Sequence, residues 1–264
     1  MLSIFTTYSI CIAAVMAFMT IAFLVSQRLK RSDVADIAWG LGFIIAALTA
    51  FLLQPQKDLS FANVKYIVLL LVTIWGLRLG LHILQRVVSH KEDRRYQELK
   101  AKWKKNTTLR IYSSIFLTQG LLLLVISTPV IVLMASEVSM QLSYVVVIGA
   151  TLWLIGFLFE AIGDWQLRAF LADDKNKGKL MTAGLWRYSR HPNYFGEMLQ
   201  WWSIFVIGLS GDFGWVGIIG PLTLSFLLLK VSGIPLSEKR YAGRKDWEVY
   251  KKRTSMLVPL PPKS

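Results

Sequence analysis

The sequence predicts an all-α fold, a polytopic membrane helix bundle of about seven transmembrane helices. Three observations predict it. Of 264 residues, 54% are apolar and only 17% charged, with a mean hydropathy of +0.48, whereas a soluble domain carries about 25% charged residues. The apolar residues fall into runs of about 20, the length an α-helix needs to cross a bilayer. The net charge of +14 is confined to alternate connections between those runs. This composition excludes a disordered or collagen-like chain. A single cysteine, Cys11, excludes a disulfide framework and a cysteine-based zinc site.

The first run, about Ser3 to Val25, contains no charge, has no basic residue before it and exceeds a signal-peptide core, so it reads as a retained helix. The second is about Val34 to Leu53 and contains Asp36. The third, Tyr66 to Leu84, contains Arg78 and His82. The fourth, Ile111 to Ala135, has Pro129 near its end. The fifth, Tyr144 to Gly163, contains Glu160. The sixth starts after His191-Pro192 and ends near Leu209. The seventh, Trp215 to Val231, is broken by Pro221.

Arg28, Lys30 and Arg31 follow the first run, nine basic residues from Arg86 to Arg110 follow the third, six from Arg168 to Arg190 follow the fifth, and nine begin at Lys230. The intervening loops hold only Lys57 and Lys65. Basic loops stay cytoplasmic, so the expected topology puts the N-terminus outside and the C-terminus in the cytoplasm. A nucleic-acid binder needs no such alternation. No long linker or tandem repeat interrupts the chain, which reads as one membrane domain, 1–264. Its amphipathic cytoplasmic tail, 232–264, is suited either to anionic lipid or to folding back over the bundle.

Ionisable groups at membrane depth are expensive and therefore informative. Asp36 lies in DVADIAWG. Trp75, Arg78 and His82 are spaced i, i+3, i+7 on one helical face, so Arg78 and Asp36 are placed to pair across two helices, as a structural ion pair or a functional one. Glu160, Asp164 and Arg168 follow an i, i+4, i+8 spacing. An Asp164–Arg168 salt bridge accounts for two of them but not for Glu160, one turn deeper among Phe and Leu. The densest constellation is GLWRYSRHPNYFGE, Gly184 to Glu197. Pro192 suits a first helical turn. A helix starting at about Asn193 beside Arg187, Arg190 and His191 combines free N–H groups, the positive dipole end and guanidinium forks, an anion site. Asn193 and Glu197 fall one turn apart, able to donate to and accept from a polar group. No GxGxxG, P-loop or HExxH is present. His82, His90 and His191 are far apart, so no metal site is expected.

At these residues the chain resembles the steroid 5-alpha-reductase-like membrane family. The likeness is carried by Glu160 to Trp202 with RHPNYFGE inside it, by SGIPLSEKRY and DWEVYKKRTSMLVPLPP in the tail, and by DVADIAWG and TIWGLRLG near the front, from about Asp33 to Pro262. The RHPxYxG core is shared with isoprenylcysteine carboxyl methyltransferases and sterol C14 reductases. Asn193, Phe195-Gly196-Glu197 and Asp164 lean to the reductases. The resemblance implies a bundle of helices with an NADPH pocket open to the cytoplasm, lined by Asp164, Arg168, Arg187, Tyr188, Arg190, His191, Asn193, Tyr194 and Glu197, with Glu160 beneath. Lys239 and Arg240 would approach the phosphates or the adenosine.

Steroid reductases hold and polarise a ketone with a Glu and a Tyr on early helices. Here Asp36, Arg78 and His82 occupy that region, with Tyr96 just beyond. The expectation is an NADPH-dependent reductase of a lipid carbon–carbon double bond conjugated to a carbonyl. Asp36 and His82 are its proton donor or carbonyl polariser, and Arg78 orients them. The host is the bacterial inner membrane or, alternatively, the endoplasmic reticulum. Two rivals are an S-adenosylmethionine-dependent membrane methyltransferase, whose cofactor has a carboxylate but no phosphate, and a transporter or scaffold, for which no inverted repeat is visible.

Overall fold

The computed structural model describes residues 2–54, 63–103, 105–138 and 143–263; Lys57 lies outside them. The fold is 78% helical and has no strand among the described residues. It is an all-α polytopic membrane protein. Among the described residues, six helices are long and apolar enough to span a bilayer. They are α1 (Ile4–Leu29), α2 (Val34–Leu52), α3 (Val64–Ser89), the composite Thr107–Ile126, α8 (Tyr144–Ala172) and the composite Gly214–Lys239. The expected sixth span is α9 (Pro192–Gly208), whose 17 residues reach about 25 Å at 1.5 Å per residue, slightly short of a 30 Å hydrocarbon core. Short helices α4 (Arg94–Ala101) and α12 (Lys245–Arg253) lie in the basic segments, and α11 (Ile234–Lys239) ends the last composite.

The chain divides into two compact units. The first comprises Met1–Ser143 and Ile207–Gly220, the second Tyr144–Val206 and Pro221–Ser264. In the first, α2 packs on α3 at a glycine crossing. A Cβ on Gly40 would lie 2.8 Å from the Gly76 carbonyl oxygen, and one on Gly76 would lie 2.6 Å from that of Gly40. Small residues let membrane helices approach this closely, where packing rather than the hydrophobic effect drives association. Cys11, Val15, Met19 and Ala22 lie on the buried stripe of α1, at the i, i+4, i+8, i+11 spacing of one helix face.

The fourth span is not the single helix expected. It runs as α5 (Thr107–Ile111), a π-helical turn (Tyr112–Leu117), α6 (Thr118–Ile126) and, after Ser127, α7 (Thr128–Ala135). Pro129 causes the break because it has no N–H for the Val125 carbonyl four residues back. Thr128 Oγ1 donates to that carbonyl instead, at 2.7 Å, and Tyr8 Oη donates to the Leu124 carbonyl, also at 2.7 Å. Pro221 breaks nothing: it sits in the first turn of α10 (Ile219–Phe226), after a 3-10 turn, where no N–H is required.

In the second unit α8 meets α9 at an equally tight crossing. A Cβ on Gly196 would stand 2.4 Å from the Gly156 carbonyl oxygen and 2.5 Å from the Glu160 nitrogen. The tail runs back along residues 186–190. Ser189 pairs with Ser255 in a parallel bridge, Ser189 Oγ donates to the Leu257 carbonyl at 2.7 Å, and Leu260 N donates to the Tyr188 carbonyl at 3.0 Å.

Candidate functional site

Pro192 opens α9, as its missing N–H and fixed φ dictate. The preceding residues are held from both sides. Trp186 Nε1 donates to the Gly163 carbonyl at 3.0 Å, and Leu185 N to Gln166 Oε1 at 2.9 Å, both on α8. The close α8–α9 approach then lines up acids on one helix with amides on the other. Asn193 Nδ2 donates to Asp164 Oδ1 at 3.0 Å, and Gln200 Nε2 donates to Glu160 Oε2 at 2.6 Å. In both pairs the carboxylate takes the amide N–H, which fixes which way the amide is turned. The oxygens Asn193 Oδ1 and Gln200 Oε1 are left buried without a hydrogen-bond partner. Buried acceptors of this kind are uncommon and call for explanation. Glu160 is 3% exposed, so Gln200 answers the sequence puzzle of a carboxylate at that depth.

Arg190 is not displayed to solvent. It is 7% exposed, with Nε on Glu238 Oε1 at 2.9 Å and Nη1 on the carbonyls of Lys251 (3.1 Å) and Thr254 (2.9 Å); its guanidinium lies 5.7 Å from the Trp247 ring centroid. His191 Nε2 lies 3.1 Å from the same Glu238 oxygen, and its ring stacks on Tyr194 at 5.4 Å. Burial pushes the imidazole below its ordinary range, Glu238 opposing. The sequence reading gave Arg190 a phosphate; the structure instead gives its donors to Glu238 and the tail backbone. Arg187, Tyr188, Arg168, Lys239 and Arg240 are exposed, and Asn193, Tyr194 and Glu197 are half-buried.

In the first unit, Asp36 stands in the first turn of α2. Tyr96 Oη donates to its Oδ1, while Arg95 Nη2 at 2.9 Å and Arg86 Nη2 at 3.3 Å reach its Oδ2. Gln119 Nε2 donates to Tyr96 Oη at 3.1 Å. Burial, and then the negative charge of Asp36, holds the Tyr96 phenol well above its usual range. Burial alone would raise Asp93, but hydrogen bonds from Arg95 outweigh it and keep the carboxyl low. Asp33 is also buried: Arg31 holds it through two contacts, at 3.0 and 2.9 Å, and Asp93 N donates to it at 3.0 Å. Arg78 and His82 are half-buried on α3 and both are engaged. Sequence reasoning missed Arg86, Arg95, Gln119, Gln200 and Glu238. EDRRY put Arg95 beside Tyr96, the one available signal; the others are distant in sequence from the groups they hold. No cluster of metal-ligating side chains occurs among the described residues.

Residues 22–254 match the family described as "Protein of unknown function (DUF1295)". The chain is also similar to the 3-oxo-5-alpha-steroid 4-dehydrogenase 1 of Bos taurus, at 38% identity over 53 residues, 20% of this chain and 21% of that protein. The match thus spans about a fifth of that curated relative. No solved structure matches.

Proposed function

The chain belongs to the DUF1295 family and shares the features of steroid 5-alpha-reductase-like membrane proteins, and from that premise we propose that it is a membrane-embedded NADPH-dependent reductase. Its substrate is a lipid carbon–carbon double bond conjugated to a carbonyl. The observation that carries the reading is the acid–amide pairing of α8 and α9. Asp164 fixes Asn193 so that a buried carbonyl oxygen is left without a donor. A carboxamide N–H is the donor such an oxygen needs, and nicotinamide carries one; because the oxygen is buried, it meets that donor only when the contact around Asn193 opens. Glu197, one turn on, is a second acceptor. Exposed Arg187, Arg168, Lys239 and Arg240 supply phosphate contacts with Tyr188 beside them. Arg190 and His191 act as the clasp that holds this segment to the tail, and Glu160 orients Gln200 beneath. When bound, NADPH supplies the hydride.

For the substrate, Tyr96 bears the proton: its one hydroxyl hydrogen rests on Asp36 and turns to the carbonyl when substrate binds. Its buried phenol stays protonated at neutral pH and its hydroxyl is held by Asp36. Charged donors stabilise an enolate best where water is excluded; Arg78 and His82 are assigned to orient the carbonyl. The basic connections face the cytoplasm of a bacterial inner membrane.

The test is a thermal melt of the purified protein in detergent. A saturable rise with NADPH is expected, about 2.7 kcal/mol of added stability at 100 times Kd. Asn193→Ala and Arg187→Ala should abolish it. Stabilisation by S-adenosylmethionine and not by NADPH would make the protein a methyltransferase and end the reductase reading.

A further inference from the structure

A cavity of about 870 Å³ opens in the first unit, at the start of α1, within the size of sites that take small ligands. Asp36 follows the other end of α1, whose 26 residues span about 39 Å. None of the residues assigned above lines this cavity. Its wall is apolar, with Phe5, Ile12, Val132, Ala135, Phe213 and Val216. Its polar groups are few and ordered. Val138 and Gly211 form an antiparallel bridge, which sets Glu137 directly opposite Asp212, and both acids line the cavity. Ser136 Oγ locks the two segments together, donating to the Asp212 carbonyl at 2.6 Å. Like charges directly opposed across a strand pair cost stability, and both carboxylates are exposed. The described cation acting on Glu137 is Lys65, whose Nζ is hydrogen-bonded to the Met134 carbonyl at 2.8 Å. Lys65 thus acts on Glu137, while Asp212 brings a second carboxylate to the same cavity. On the same cavity lie Ser3, Ile4 and Phe5, the first residues of a long helix, where the positive end of the dipole favours an anion.

From this charge order we propose that the cavity binds a zwitterionic phospholipid with a primary ammonium headgroup, a phosphatidylethanolamine. The ammonium lies between Glu137 and Asp212, the phosphate at the start of α1, and an acyl chain along the Phe5–Ile12–Val132 wall. Phosphatidylglycerol has the same chains and phosphate but no ammonium, and brings no countercharge to the two carboxylates. The site is independent of the reductase reading.

The experiment is native mass spectrometry of the delipidated full chain in detergent, titrated with phosphatidylethanolamine, its N-acetyl derivative and phosphatidylglycerol of identical chains. Phosphatidylethanolamine should bind about fivefold more tightly than either, the factor two exposed ion pairs supply. The double variant Glu137→Gln/Asp212→Asn should bind all three alike. Ser9→Trp, at an exposed position on the cavity, should lose the phosphatidylethanolamine adduct while leaving the melting temperature unchanged. Equal binding of the three lipids by the parent chain, or a preference that survives in the double variant, overturns the proposal.

Discussion

Glu238→Ala removes the carboxylate that both Arg190 and His191 face. The loss can be estimated from their environment. Arg190 is 7% exposed, so its guanidinium cannot replace the lost partner with bulk water. Breaking a fully buried ion pair costs about 3–5 kcal/mol. The Glu238 side chain is 17% exposed, and Nη1 keeps its two carbonyl acceptors. Both facts reduce the cost, to about 2 kcal/mol, the worth of one charge-assisted hydrogen bond. For a protein of this size that is about 4–8 °C in melting temperature. The damage should be local, because Arg190 joins residues 189–191 to the tail. Trypsin should therefore cut at Lys251, Lys252 and Arg253 in the variant well below its melting temperature, and more slowly in the parent. A melt in detergent with timed proteolysis reads both effects. A shift under about 1 °C with an unchanged cleavage pattern would show that the tail is held by its backbone bonds alone, and the clasp argument fails.

Three further outcomes follow from the same geometry. Gly196→Ala drives a Cβ into backbone on α8 at 2.4 and 2.5 Å and should cost at least 1–3 kcal/mol by overpacking. Gly208→Ala, whose Cβ meets nothing nearer than 3.5 Å, should leave the melt almost unchanged, and equal effects would refute the crossing. The folded-state pKa of His191 is lowered by burial, so the folded protein binds fewer protons than the unfolded chain just below the ordinary histidine pKa. Its contribution is therefore complete above about pH 6.5 and is lost as pH falls from there. The parent's melting temperature should drop as pH falls below about 6.5, His191→Asn should flatten that drop, and a profile unaltered by the substitution would contradict it. Tyr96→Phe removes the hydroxyl shared by Asp36 and Gln119 and should cost about 1–2 kcal/mol; an unchanged denaturation midpoint would mean that water substitutes for it.

The spans were legible because hydropathy reports bilayer depth directly. Helix ends were not. The fifth run looked finished at Gly163, yet α8 continues to Ala172 through Asp164, Gln166 and Arg168, residues that are polar but good or tolerable helix formers. Apolarity ends where the membrane ends, whereas a helix ends only where its backbone bonds do. The start of α9 was legible from Pro192 alone. The π turn at Tyr112–Leu117 has no signature inside an apolar run, and the stop at Ser127 needed Pro129 to be weighed as a lost N–H. At the site, side chains close in sequence were grouped correctly and distant partners were invisible. Arg190 and Glu238 are 48 residues apart, and Glu160 and Gln200 are 40 apart. In SEKRY the acid is outnumbered by its basic neighbours, so the segment read as a source of positive charge when its acid is the part that reaches Arg190.

Exposure divides the arginines of the RHPN segment into two kinds, and this separates folding from binding. A guanidinium with Nε on a carboxylate and Nη1 on two carbonyls is already coordinated. Nε and Nη1 are thus committed to the fold, which gives Arg190 a structural duty whatever its remaining nitrogen meets. Arg187, three residues earlier and exposed, gives up only hydration to meet an anion, and Arg is well suited to a phosphate by its planar fork. The same division applies to the amides. Asn193 and Gln200 each give an N–H to an acid on α8, which orients the remaining oxygen but leaves it buried without a donor, at about 1–3 kcal/mol apiece. A carboxylate in place of either amide would oppose Asp164 or Glu160 with like charge, and an aliphatic side chain would remove one hydrogen bond from that acid. The amide is thus the side chain that both neutralises nothing and satisfies the acid, while keeping an acceptor in reserve. That reserve, rather than the density of positive charge around Pro192, is what the proposed cofactor site rests on.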